Sequence, residues 1–144
     1  MILDHIYRLA AERFQEQLTA HDLAKAAGMP LNTLTRRFNG VHGVSPMRWL
    51  WHFRTVLAAE LLTHEPQLPV SEVAAACGFA SAAHFARRFR LVFGQSPTGF
   101  RQGSSAPAPR PHGHIRHGAV ARALRIAVFT GESLNGWLSP LDPD

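Results

Sequence analysis

LAKAAGMPLNTLTRRF, residues 23–38, and VAAACGFASAAHFARRFRLVFGQSPTGFR, residues 73–101, are two copies of one pattern. Leu23, Ala24, Ala27 and Gly28 match Val73, Ala74, Cys77 and Gly78 at an offset of 50. The endings LTRRF (34–38) and FARRF (85–89) match at an offset of 51, as do Gly43, Ser45 and Pro46 with Gly94, Ser96 and Pro97. One residue is therefore inserted in the second turn. Each copy reads as a short helix, a glycine turn and an arginine-bearing helix. A protein that places two helices in successive grooves of DNA needs that arrangement.

The flanking sequence supplies the rest of an all-α chain. Ile2, Ile6, Leu9 and Arg13/Phe14 recur at helical spacing within residues 2–17. Thr19 with Asp22 three residues later forms a capping box and opens a helix over 20–27. Gly28 turns the chain, and a second helix runs from Leu31 to about Asn39. Ser45-Pro46 places a capping hydroxyl before a first-turn proline. It starts a long helix, 47–63, with Trp49/Leu50, Phe53, Val56/Leu57 and Leu61 on one face. The second copy gives helices over 70–76 and 82–93, and a last short one after Ser96-Pro97. The expectation is about seven helices in two helix-turn-helix units, 4–44 and 69–102, joined by a linking helix over 46–64.

Helical geometry selects the side chains that face outward. Leu31, Leu34 and Phe38 fall on one face and form a core stripe. Opposite them lie Asn32, Thr33, Arg36 and, near the end, Asn39, with Arg37 on the flank. Arginine pairs bidentately with guanine, asparagine with adenine, and a threonine methyl meets thymine. In the second unit Phe85, Phe89, Val92 and Phe93 form the stripe. Ala83, Arg87 and Arg90 lie opposite, with His84 on one edge and Arg88 on the other flank. Alanines offer a methyl contact at most, so Arg87 carries most base reading there. The second unit is thus expected to supply affinity more than specificity. A 17–19-residue spacer spans roughly 26–28 Å, against about 34 Å between successive major grooves on one side of DNA.

Composition agrees with a polyanionic partner. The 144 residues carry 15 basic and 10 acidic side chains, a formal charge of +5. Five of the arginines cluster at 36, 37, 87, 88 and 90, which favours phosphate contact over compositional bias. The lone Cys77 excludes an intramolecular disulfide framework and suits a reducing cytoplasm, and its place in an alanine-rich helix predicts a small core residue. No apolar run reaches the roughly 18 residues that span a bilayer, so no membrane partner is expected. From Gly103 to Gly118 the sequence turns to Gly, Ser, Pro, His and Arg, the composition of a flexible linker. Residues 119–129, AVARALRIAVF, are apolar enough to fold again, but the tail 103–144 as a whole is expected to be poorly structured. His112, His114 and His117 lack cysteine or carboxylate partners, so neither metal nor cofactor is expected.

The motifs at 23–38 and 73–101, with both glycines, the linking helix and the closing SPxxF-R pattern, resemble the DNA-binding domain of the AraC/XylS family of bacterial transcriptional regulators. The resemblance covers about residues 4–102 and marks 1–102 as the domain. It implies two helix-turn-helix units, a cytoplasmic non-enzyme, binding to double-stranded promoter DNA, and contact with RNA polymerase. Carried over by position, base-reading residues are Asn32, Thr33, Thr35 and Arg36 in the first unit, and Ala83, His84 and Arg87 in the second. Arg37, Arg88 and Arg90 are left for the DNA backbone. Pro30 stands where such domains often have a capping serine, and His84 where they have another aromatic. Most such regulators carry a sensing domain ahead of this region. The expectation is accordingly either a short stand-alone regulator, with no small-molecule effector evident, or a piece of a larger one. Two alternatives remain: an interaction module without its own specificity, and a fragment of a DNA alkyl-damage repair protein, which would need a reactive cysteine.

Overall fold

The computed structural model describes residues 3–103, together with 122–124 and 127. Seven helices fill the first stretch: α1 (Asp4–Arg13), α2 (Ala20–Ala27), α3 (Leu31–His42), α4 (Pro46–His64), α5 (Val70–Ala76), α6 (Ala82–Phe93) and α7 (Pro97–Gly103). Among the described residues there is no strand. The all-α arrangement of two helix-turn-helix units on a linking helix is as expected. The histidine cluster at 112–117 and most of the tail lie outside the described residues.

Local chemistry sets the boundaries. The Thr19 hydroxyl accepts from the Asp22 amide at 3.1 Å while the Asp22 carboxylate accepts from the Thr19 amide at 2.8 Å, closing the capping box. The Ser45 and Ser81 hydroxyls cap α4 and α6. α3 starts at Leu31 although Pro30 offers no side-chain cap, and it continues three residues past the expected end, to Gly43 in the left-handed conformation. The residue inserted in the second turn leaves room for Ser81 to cap, which Pro30 cannot do.

α1 is shorter than the periodicity suggests, and the cause lies in α4. The buried Arg54 guanidinium donates from Nε to the Phe14 carbonyl at 2.9 Å and from Nη2 to the Glu16 carbonyl at 2.7 Å. These carbonyls, just past the end of α1, are thereby tied to the linking helix. Trp51 lies under the same guanidinium, 4.4 Å from ring centroid to charge. Burial brings the Arg54 pKa down to about 10, still cationic at neutral pH. Gly78 completes the junction. Its φ is +93°, and a Cβ there would sit 2.4 Å from the Phe14 carbonyl oxygen and 3.0 Å from Arg54 Nε.

Far from having one apolar face, α4 is buried almost all round, including His52, Arg54 and Thr55. Trp49 and Phe53 serve the first unit, where Trp49 meets Phe38 at 5.7 Å and His42 at 5.9 Å. Trp51 faces the second unit and meets Phe79 at 5.1 Å. Phe89, Phe93 and Phe100 repeat the Phe38, His42 and Trp49 cluster at matching positions, with centroids 4.7–5.2 Å apart. Arg101 of α7 ties the far end by donating to the carbonyls of Leu62, Glu65 and Leu68.

The first cluster contains a polar pair that the second lacks. Burial, with Asp4 adding to it, pushes the Tyr7 phenol up to about 12, so it keeps its proton, and it shares a hydrogen bond with His42 Nε2 at 2.6 Å. Burial lowers the His42 pKa, and it pulls His52 from 6.5 down to about 3, helped by the charges of His42 and Arg88.

Two predictions follow from this packing. Gly28→Ala meets only the strain of φ +68°, with open space around its Cβ, a cost of about 1–2 kcal/mol. Gly78→Ala adds the collision with Phe14 and should lose at least about twice as much in urea unfolding; equal losses would remove the close approach from the account. Below pH 6.5, the ordinary histidine value, the unfolded chain takes up protons at His42 and His52 more readily than the folded one, in which both pKa values are lowered. Stability is therefore full above that pH and falls as pH drops toward about 3, the folded value of His52. Each ring contributes a slope of up to about 1.4 kcal/mol per pH unit. His52→Leu should flatten this slope, and an unchanged slope would contradict it.

Candidate nucleic-acid interface

The outer surface of α3 is built as the helical spacing required. Asn32, Arg36, Arg37 and Asn39 are exposed, Thr33 and Thr35 are half-buried, and Leu34 and Phe38 are sealed in the core. α2 packs behind α3 through Leu23 and Ala24, so the recognition surface stands on a rigid pair. Five donors on each arginine, in a planar fork, suit both base edges and phosphates.

α6 presents a narrower surface. Ala83, Arg87 and Arg90 are exposed, with Arg87 in the register of Arg36. Beside them, Ala86, Arg87, Arg90, Leu91 and Ser96 line a shallow groove toward the start of α7. Nothing in the sequence marks Ala86 and Leu91 as surface-site residues, because neither side chain carries chemistry of its own.

One expectation for α6 needs correction, and a second residue is placed more closely. Arg88 was assigned to the DNA backbone but is only 1% exposed. It turns inward, where its charge acts on His52 of α4. Its counterpart Arg37, at the equivalent place in α3, is exposed. His84 is only half-exposed. Its ring stands edge-on to Trp51 at 4.6 Å and to Phe79 at 5.4 Å. It takes the packing place of an aromatic at the first turn of α6 and keeps its other side partly exposed.

Residues 103–144, expected as a poorly structured tail, contribute to the fold in part. Arg122–Leu124 and Ala127 are helical, and Ala123 and Ala127 are fully buried.

Two glycine-turned helix pairs, each with an exposed arginine at the same place in its second helix, define a double helix-turn-helix DNA-binding domain. A helix-turn-helix domain family matches residues 23–103, over half of the chain. The chain belongs to the AraC/XylS family of bacterial transcriptional regulators, in its DNA-binding part. Among curated relatives, the HTH-type transcriptional activator RhaS of Escherichia fergusonii is 36% identical over 104 residues, which is 72% of this chain and 37% of that protein. RhaS of Salmonella schwarzengrund is 34% identical over the same shares. The chain thus spans little more than a third of the curated relatives it matches. The DNA-binding domain of the global transcriptional factor AdpA, solved with a target DNA, is similar at a TM-score of 0.65 and 35% identity, over 69% of this chain and 89% of that one. An AraC-type regulator from Chromobacterium violaceum is similar at 0.68 and 26%, over 74% and 95%.

Because Arg37 is exposed and Arg88 is not, they should differ in salt dependence. Arg37→Ala is expected to lower the slope of log affinity against log salt by about one. Arg88→Met should leave that slope unchanged. Equal effects in a salt titration would return Arg88 to the DNA surface.

Proposed function

We propose that this chain binds double-stranded promoter DNA in a sequence-specific way and regulates transcription through two recognition helices, α3 and α6, in successive major grooves. The observation that carries this reading is the exposure of Arg36 and Arg87 at one register on two helices braced by a common spacer. α4, at 19 residues, is roughly 28 Å long. Modest DNA bending closes the gap to the groove repeat.

In this reading Asn32, Thr33, Thr35 and Arg36 read bases in one groove. Arg87 is the principal reader in the other, with Ala83 making apolar contact and the half-exposed His84 beside it. Arg37 and Arg90 hold phosphates. Contact with RNA polymerase and a cytoplasmic setting belong to the same proposal, supported by relatives named as transcriptional activators. The repair alternative draws no support from Cys77, which is fully buried.

The test is selection of duplexes from a random pool by the purified chain near physiological salt. The expected product is one asymmetric site of about two helical turns. Arg36→Ala should then cost about 1–3 kcal/mol and relax preference at one base position. An unchanged preference would sink the assignment of this helix face to base reading. Retention of DNA without any enriched sequence would favour the module lacking its own specificity.

A further inference from the structure

Trp49, Glu60 and His64 fall on one side of α4 by helical spacing, a side that neither helix-turn-helix unit needs for its DNA surface. The chain's own C-terminal residues lie on it. Trp49 Nε1 donates to the Ala127 carbonyl at 3.0 Å, giving a buried indole N–H its acceptor. About three turns further along α4, Arg122 Nε donates to Glu60 Oε2 at 2.8 Å, and His64 Nε2 lies 3.2 Å from the same oxygen. Between these anchors Ala123 and Ala127 are fully buried, and Leu124 packs against the core. The segment therefore runs antiparallel to α4, with small residues at the close approach and polar contacts at both ends.

We infer that residues 122–124 and 127 are a strap on the linking helix and work as part of the DNA reader, an inference that rests on the function proposed above. Trp49 sits in the aromatic cluster of the first unit. Glu60 lies in the last turns of α4, where Arg101 of the second unit binds the carbonyls of Leu62 and Glu65. A strap joining those points resists bending of the spacer and so holds the two recognition helices at one separation. Its effect belongs to sites that engage both units at once, since its anchors, Trp49 and Glu60, both lie on the spacer.

The experiment uses the full chain, labelled with nitrogen-15, and follows exchange of the Trp49 indole N–H, assigned through Trp49→Phe. Ala123→Asp places a carboxylate at a buried site and should speed that exchange at least about tenfold while the amides of α1 to α7 keep their protection. Arg122→Ala, which loses only the Glu60 anchor, should act in the same direction more weakly and carries the comparison if Ala123→Asp fails to fold. Affinity of the variants should fall for a duplex holding both halves of the selected site and stay constant for a duplex holding one half. Unchanged indole exchange would overturn the docking. Faster exchange with equal affinity on the two-part duplex would overturn the strap's part in DNA reading. Failure of the unsubstituted chain to select any DNA would instead strike the proposed function, and the exchange result would stand apart from it.

Discussion

The relation between the two helix-turn-helix units depends on one buried cation. Arg54 projects from the middle of α4, takes the carbonyls of Phe14 and Glu16 from the end of α1, and covers Trp51 on the side of the second unit. Gly78, in the turn of the second unit, reaches the same carbonyl of Phe14. A guanidinium suits this junction because its planar fork serves two acceptors and stacks on an indole at the same time. Without it, two inward-facing carbonyls would lose their donors, at about 1–3 kcal/mol for each one left buried. The clamp also explains why α1 ends at Arg13 and why the second turn tolerates no side chain at position 78.

Around this junction the fold is a duplication with its symmetry broken on purpose-bearing surfaces. The cores repeat closely: Leu34, Phe38, His42 and Trp49 correspond to Phe85, Phe89, Phe93 and Phe100. The outer faces diverge. α3 carries Asn32, Thr33, Thr35 and Arg36, whereas α6 carries Ala83, Ala86 and Arg87 with His84 half-withdrawn. Hydrogen-bonding variety thus sits on the first helix, and the second is left with charge and small apolar contact. In the function proposed above, that difference makes the first helix the more specific reader and the second the stronger source of grip.

Much of this was legible in the chain, for identifiable reasons. Caps, turn glycines and the 3.6-residue stripe are local, so Thr19, Ser45, Ser81, Gly28 and the core faces of α3 and α6 could be read directly. Arg54, Arg88 and His52 could not. Each is a polar residue whose side chain is buried by an element distant in sequence, and periodicity does not reveal which flank of a helix a neighbour will cover. Arg37 and Arg88 occupy equivalent places in matching motifs, yet one meets solvent and the other α4. The stretch 119–129 carried an apolar signal, but the α4 partners of Arg122 and Ala127 are more than sixty positions away in the chain. Arg101, equally, reads as a terminal cation until three carbonyls converge on it.

The central claim is that a single chain holds two recognition helices at a set separation and reads both parts of one site together. Binding to the selected duplex should therefore be compared with binding to the same duplex carrying about five extra base pairs between its halves, a shift of half a helical turn. The account predicts that the insertion reduces affinity to that of a single half-site, because the clamped spacer cannot turn α6 to the opposite side of the DNA. Equal affinity for both duplexes would contradict it and leave two units that bind independently.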